Sequence, residues 1–229
     1  MRFRYTNLET CHTATGLVIV IDVIRAFTNA AFALSRGARE IYPVSTVEEA
    51  LKFKAEIPDC LACGEVGGIP PEGFDFGNSP TQTKGLDLSG CTLVQRTGAG
   101  TQGIVRSVNA ESMVAASLVV AKATVMHVRS LGADEVTFVI TGQFGEDDRG
   151  DEDLACAEYL EALFKGQEPD PAPYVDRVYK SRDALFHLDP DFPAFPRSDL
   201  DHCININAFA FAMPVTKENG RHVIRALHI

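Results

Sequence analysis

Residues 91–103 read Cys-Thr-Leu-Val-Gln-Arg-Thr-Gly-Ala-Gly-Thr-Gln-Gly: an apolar run breaks into glycines and then opens a helix. A strand, a glycine turn and a helix in that order aim backbone N–H groups and a positive helix end at an anion. Phosphate is the first ligand to expect there. The hexapeptide from Gly98 to Gly103 also spells G-x-G-x-x-G. The dinucleotide form of that motif expects an acid roughly 20 residues on, at the end of the next strand. Residues 115–122, Ala-Ala-Ser-Leu-Val-Val-Ala-Lys, hold none, and no Gly-Lys-Ser/Thr of the Walker type follows the turn. The turn therefore suits a small phosphate ester better than a dinucleotide. A nucleotide-dependent oxidoreductase using Gly98, Gly100 and Gly103 is the competing enzyme class. A phosphometabolite-binding protein without turnover is the non-enzyme alternative.

Working outward from this unit, the chain alternates strands and helices. Residues 17–21 form a β-branched apolar run, as expected of a strand covered on both faces. Residues 25–36 have helical character, with Gly37 as a stop. A strand is predicted over 40–44. Thr46-Val-Glu-Glu49 fits a capping box and opens a helix through Lys54. Residues 61–64 are a third strand, followed by a long Gly-, Pro- and Asn-rich loop over 64–86. Loops of that length inside compact domains are usually functional or disordered, and Phe74 and Phe76 favour order. The strand at 92–95, a helix to about Val108, a short strand at 113–116, a helix at 118–131 and a strand at 136–140 complete the alternation.

This pattern predicts a layered α/β/α fold with a mostly parallel or mixed central sheet. Ligands in such sheets bind beyond the carboxyl ends of the strands. The loops after Ile21, Gly64, Gln95 and Ile140 all follow strands and are expected to converge on one edge. Residues 1–229 read as a single domain whose portion 167–229 is less regular. There, Pro- and Asp-rich stretches at 167–173 and 190–196 separate short helices. A strand pair around 209–213 and 222–227 flanks the turn-like Lys217-Glu-Asn-Gly220.

Composition bounds the partners. The chain has 229 residues, is 45% apolar and 23% charged, and carries a net charge of −10. Nucleic acid and anionic membranes both require a basic face, so neither is expected. The segment Met-Arg-Phe-Arg-Tyr-Thr-Asn-Leu-Glu-Thr at the start shows no signal-like apolar run, and no run reaches membrane-spanning length. The six cysteines are dispersed and read as reduced thiols of a cytoplasmic protein. Cys60-Leu-Ala-Cys63 lacks a second pair and reads as core. A homodimer is the base-rate expectation.

Four constellations carry candidate chemistry. Asp22-Val-Ile-Arg25 ends the first strand and can hold a metal and an anion together, or can simply cap a helix with its own ion pair. A haloacid-dehalogenase reading needs D-x-D, and Ile24 stands in the third place. Glu65 and Asp75, in the glycine-rich loop, offer hard oxygens suited to Mg²⁺. Asn78 and Ser79 beside them offer neutral groups, with backbone turn bonds as the plainer role. In the turn, Thr97, Gly98, Ala99, Gly100 and Thr101 can cradle phosphate, and Arg96 can bind it bidentately. The run over 145–153 holds six acids and one Arg. Most of it fits a solvated loop and a helix's first turn, but Glu152 and Asp153 follow a strand end where a metal would sit, Asp153 foremost.

Taken together, these segments resemble the 2-phosphosulfolactate phosphatase family. The resemblance rests on Ile21-Asp-Val-Ile-Arg-Ala26, Gly64-Glu65, Gly73-Phe-Asp-Phe-Gly-Asn-Ser-Pro80, the turn at 97–101 and Glu152-Asp-Leu-Ala-Cys-Ala157. It spans about residues 16–165 and is weak beyond 170. The family's turn commonly reads Thr-Thr-Asn-Gly-Thr, where this chain has Thr-Gly-Ala-Gly-Thr, and its Gly-Glu-Arg segment here is Gly64-Glu-Val66. The resemblance implies an α/β fold, Mg²⁺ dependence and hydrolysis of 2-phosphosulfolactate to 3-sulfolactate and phosphate, a step of coenzyme M synthesis. The expected site therefore has Asp22, Asp75 and Arg25 as catalytic groups. Arg96, the turn, Asn78 and Ser79 would bind phosphate, and Glu65, Asp75 and Asp153 would bind metal.

Overall fold

A computed structural model describes residues 1–142 and 150–229. Glu146, Asp147 and Asp148 of the acidic run lie outside the described residues. In chain order the elements are β1 (Arg2–Asn7), β2 (Gly16–Ile21), α1 (Ala26–Ser35), β3 (Glu40–Val44), α2 (Val47–Glu56), β4 (Cys60–Gly64), α3 (Pro80–Lys84), β5 (Thr92–Arg96) and α4 (Gly100–Arg106). They continue with β6 (Ala110–Ala116), α5 (Ala121–Ser130), β7 (Glu135–Ile140), α6 (Asp151–Phe164), α7 (Ala172–Lys180), α8 (Arg182–Leu188), α9 (Arg197–Cys203), β8 (Phe211–Glu218), β9 (Arg221–Ile224) and β10 (Leu227–His228). No described helix is long and apolar enough to cross a membrane.

The fold is α/β with a mixed sheet in the order β1-β7-β2-β6-β8-β9-β3-β5-β4. Two parallel blocks, β1-β7-β2-β6 and β3-β5-β4, are joined through the antiparallel hairpin β8–β9. Strand β8 pairs antiparallel with β6, and β9 pairs antiparallel with β3. Three successive antiparallel steps reverse the direction of the second block relative to the first. The C-terminal strands thus occupy the middle of the sheet. The hairpin turns at Asn219-Gly220, where both residues have positive φ, the geometry of a type I′ turn.

Helices cover both faces. Along β2 the side chains alternate: Val18 and Val20 pack with Phe27 and Ala30 of α1, whereas Ile19 and Ile21 pack with Val125 of α5 and Leu160 of α6. That double burial explains the unbroken apolar run. Thr46 caps α2 by accepting the Glu49 N–H at 3.1 Å, and the Glu49 carboxylate reaches back one residue further than expected, to Ser45 N–H at 3.0 Å.

Three features depart from the sequence reading. Strand β1 was not expected: it is an edge strand whose Arg2 and Arg4 pair with Glu135, while the alternating Phe3 and Tyr5 rings lie against Phe138. The loop over 64–86 is interrupted by α3, which Pro80 begins and the Ser79 hydroxyl caps. The site loops also do not share one edge of a flat parallel sheet. Helix α4 carries the second block's turn onto the end of β2, where a Cβ on Gly100 would stand 2.7 Å from both the Asp22 carboxylate and Ala26, and one on Gly103 would stand 2.5 Å from Val20. Only glycines permit that approach.

Candidate active site

Asp22 immediately follows β2. One carboxylate oxygen accepts the Ala26 N–H at 2.8 Å and so caps α1. The side chain is buried, and its carboxyl is held well above the usual carboxylate range, first by burial and then by the negative charge of Asp153, with Glu65 and Asp183 adding to it. Asp22 therefore sits in an acidic environment, with no ion pair of its own among the described residues.

Glu65 follows β4. Gly64 precedes it with φ at +130°, and a Cβ there would lie 1.9 Å from the Arg96 carbonyl oxygen. Glycine alone lets β4 leave the sheet so close to β5. The Glu65 carboxylate accepts the Gly98 N–H at 2.5 Å and the Gly68 N–H at 2.8 Å. It pins the glycine-rich loop to the turn after β5.

The turn is internally braced. Thr97 N–H donates to the Thr101 hydroxyl at 2.9 Å, and Thr101 N–H donates to the Thr97 hydroxyl at 3.1 Å. With the Gly98 amide given to Glu65, the Ala99 and Gly100 N–H groups are the ones left without a protein acceptor among the described residues.

Asp153, in the first turn of α6, uses both oxygens. It accepts Val23 N–H at 2.7 Å, Gly142 N–H at 2.9 Å and the Thr141 hydroxyl at 3.2 Å. It ties the loop after β2 to the loop after β7. Burial and then Glu152 raise its carboxyl, against those hydrogen bonds. Glu152 is also buried, and its Oε2 has no partner among the described residues. Burial first, then Asp183 and Asp22, push the Glu152 carboxyl up to about 8.

A cavity of about 530 Å³ opens at this junction. Asp22, Arg25, Glu65, Asn78, Thr97, Gly98 and Ala99 line it, so seven of the expected site residues meet. The Asn78 Oδ1 atom is buried and unpartnered among the described residues. Gly100 and Thr101, the turn's last two residues, open α4 and are not on the cavity lining. Arg25 is buried and pairs with Asp199 at 2.7 Å, with the Ala194 carbonyl accepting a further bond at 3.2 Å.

Three expected residues are used elsewhere. Asp75 does not reach the cavity: it pairs with Lys54 at 2.8 Å and accepts the Ala62 N–H at 2.7 Å. Arg96 does not line the cavity either, because its guanidinium donates to the main-chain carbonyls of Ser45 at 3.3 Å and Glu65 at 2.7 Å. The Ser79 hydroxyl donates to Asp199 at 2.7 Å and caps α3. Asp153 is brought to the site, but behind Asp22.

Other residues were missed. The segment around α8 supplies Asp183, Phe186 and His187 to the cavity, followed by Phe192 and Phe195. Asp199 anchors Arg25 from α9. Their Pro- and Asp-rich surroundings carry no motif. Glu152 was legible as an acid at a strand end, but nothing local distinguished it from Asp153.

Among the described residues, no three of His, Cys, Asp and Glu are grouped to hold a metal by themselves. Mg²⁺ does not need such a cage; it commonly takes one or two carboxylates and completes its shell with water and substrate phosphate. The buried, uncompensated Asp22 and the unpartnered Glu152 oxygen suit a hard cation of that kind. The six cysteines are free thiols, in keeping with their reading as unpaired.

Comparison with known proteins bears on the reaction. Residues 4–188 match the family profile described as 2-phosphosulpholactate phosphatase. A Bacillus subtilis (strain 168) protein named "Probable 2-phosphosulfolactate phosphatase" is 34% identical over 203 residues, covering 88% of this chain and 87% of the relative. Like-named proteins from Carboxydothermus hydrogenoformans and Deinococcus radiodurans are 33% and 37% identical, covering 91% and 75% of this chain and 90% and 72% of their own. These matches do not favour the oxidoreductase alternative.

Proposed function

The chain belongs to the 2-phosphosulfolactate phosphatase family, a family of phosphoric monoester hydrolases, and on that premise we propose that it is a Mg²⁺-dependent hydrolase of a small phosphate monoester. 2-Phosphosulfolactate, the substrate in its relatives' names, is the first compound to try. The observation that carries the reading is the meeting of a buried, uncompensated Asp22 with the turn of residues 97–101 in one cavity.

Hydrolysis adds water to phosphorus and breaks the P–O bond to the organic group, giving an alcohol and inorganic phosphate. Catalysis of this step is mostly positioning and charge stabilisation. In our reading the Ala99 and Gly100 N–H groups donate to phosphate oxygens. The Asn78 side chain lies at the same wall. Arg25, fixed by Asp199, offers a positive charge on the cavity lining. Asp22 and Glu152 would hold Mg²⁺, with Asp153 setting the loop that carries Asp22. When bound, the ion supplies charge neutralisation of the phosphate and a more acidic water. Glu65 keeps the turn in register through Gly98.

Phosphate release from 2-phosphosulfolactate and 2-phospholactate, measured with Mg²⁺ and with excess chelator, tests this. Metal-dependent turnover of either is expected. Stabilisation by these esters in a thermal-shift assay with no phosphate released from any would instead point to a binding protein.

A further inference from the structure

His187, on α8, lines the cavity and is itself buried. Its Nδ1 lies 3.0 Å from the Pro196 carbonyl oxygen. A carbonyl only accepts, so Nδ1 carries the proton, and in the neutral ring Nε2 is a bare acceptor. That Nε2 atom is buried and has no partner among the described residues. The Phe195 ring meets the imidazole edge-to-face at 5.5 Å, and the Arg25 guanidinium carbon lies 4.9 Å from the centre of the same phenyl ring. One nitrogen thus fixes the ring while the other is kept for a group that enters the cavity. A side chain retained for packing alone gains nothing from a buried, unsatisfied nitrogen, which is costly.

Ester hydrolysis has a use for such a nitrogen. When the P–O bond to the organic group breaks, its electron pair stays on the ester oxygen, and the alkoxide of an ordinary alcohol is a strong base. Delivering a proton to that oxygen as the bond breaks is general acid catalysis. The backbone N–H groups of the turn and the Arg25 guanidinium donate hydrogen bonds without giving up a proton. Burial holds the His187 ring below the usual imidazole range. The Pro196 carbonyl opposes this, Arg25 adds to it and Asp199 opposes it. Asp183, Asp22 and Glu65 are further charged groups on the same lining. A phosphate ester brings more negative charge, which favours the imidazolium. The ring then takes up a solvent proton at Nε2 as the ester binds.

We propose that His187 is the general acid of the reaction, giving the proton on Nε2 to the ester oxygen as that oxygen leaves phosphorus. Water forms the new bond to phosphorus, keeps one hydrogen on the phosphate and releases the other to solvent. The organic group departs as a neutral alcohol, and the imidazole regains its proton from solvent. The role rests on the phosphatase reading above and adds to it the residue that serves the leaving group.

The test varies the leaving group. With Mg²⁺ present, kcat/KM is measured for 2-phosphosulfolactate, 2-phospholactate and 4-nitrophenyl phosphate in the wild type, His187→Asn and His187→Ala. The first two release alkoxides that need a proton, whereas 4-nitrophenolate is a weak base that leaves without one. Asn can keep an N–H for the Pro196 carbonyl and has nothing in the place of Nε2. His187→Asn should lose at least about 100-fold on the alkyl esters, the scale of a positioned acid, and less than about tenfold on 4-nitrophenyl phosphate. A loss by the same factor on all three esters is what a merely structural ring gives. That result would overturn the inference and leave the phosphatase reading intact. Should neither variant fold, the wild type decides: across a series of alkyl and aryl phosphates, kcat/KM is expected to change little with the basicity of the leaving group. A steep decline toward the more basic alcohols would overturn the general acid, again without touching the phosphatase reading. A folded wild type that hydrolyses none of the esters would sink the phosphatase reading and the role of His187 with it.

Discussion

Arg25 and Asp199 lie 174 residues apart in the chain and meet at 2.7 Å, both buried. The other Asp199 oxygen accepts the Ser79 hydroxyl and the Thr81 N–H, at 2.7 and 2.9 Å. One carboxylate thus joins the loop after β2, the start of α3 and the C-terminal helix α9. The portion of the chain with the weakest family resemblance locks the strongest motif in place.

Removing one partner of such a pair leaves a buried charge uncompensated, at a cost of about 3–5 kcal/mol. Asp199→Ala should therefore lower the denaturation midpoint by that order. Asp199→Asn, which retains an acceptor for Ser79 and Thr81, should cost less. Urea unfolding of the three proteins measures this. An unchanged midpoint in Asp199→Ala would show that Arg25 is solvated rather than held by the pair.

Gly100 sets how closely α4 approaches Asp22. A Cβ there would lie 2.7 Å from the carboxylate and from Ala26. Gly100→Ala should push the turn away from Asp22 and reduce kcat at least about tenfold, since small displacements of a reacting geometry are expensive. Stability should fall by only about 1–3 kcal/mol, as for other overpacked sites. Steady-state kinetics beside thermal unfolding separates the two effects. Wild-type kcat would mean the turn and Asp22 do not act together.

Asp22→Asn keeps an oxygen to accept the Ala26 N–H while removing a charge held in an acidic, buried position. Turnover should fall at least about 100-fold, the usual scale for losing a positioned acid–base or charge-bearing group. The metal-free protein should meanwhile melt at a higher temperature at pH 8. A variant that turns over normally would remove Asp22 from the site.

Much of this was legible in local patterns. The β-branched run of β2, the Thr46 cap and the glycine turn after β5 each depend on residues a few positions apart. They placed Asp22, Glu65 and Thr97 at strand ends, and the cavity joins all three. What was not legible depended on distant partners. No local pattern shows that β8 and β9 enter mid-sheet and reverse the second block. The pairing of Asp75 with Lys54, 21 positions earlier on another element, could not be seen in the sequence. Phe186, Phe192 and Phe195 lie among prolines and acids, where three rings show no periodicity to betray a shared surface.

Glu152 makes stability depend on pH in a definite direction. Its ordinary pKa is near 4.5, and in the folded chain burial, with Asp183 and Asp22 nearby, raises it to about 8. Between those values the folded state holds a proton that the unfolded state has released. Folding is therefore most favoured below the unfolded value, and the advantage is lost as pH rises toward the folded value. The slope approaches about 1.4 kcal/mol per pH unit for one such group. Asp22, raised for the same reason, adds to it in the same sense. The metal-free protein should lose Tm steadily from about pH 5 to pH 8, and Glu152→Gln should flatten that decline. A divalent cation competes with the protons, so Mg²⁺ should raise Tm more at pH 8 than at pH 5. Thermal melts of both proteins across this range, with and without Mg²⁺, give the answer. A Tm that climbs with pH in the metal-free wild type, or a decline identical in Glu152→Gln, would show that Glu152 is ionised and compensated in the folded chain, and would remove it from the set of residues proposed to hold the metal.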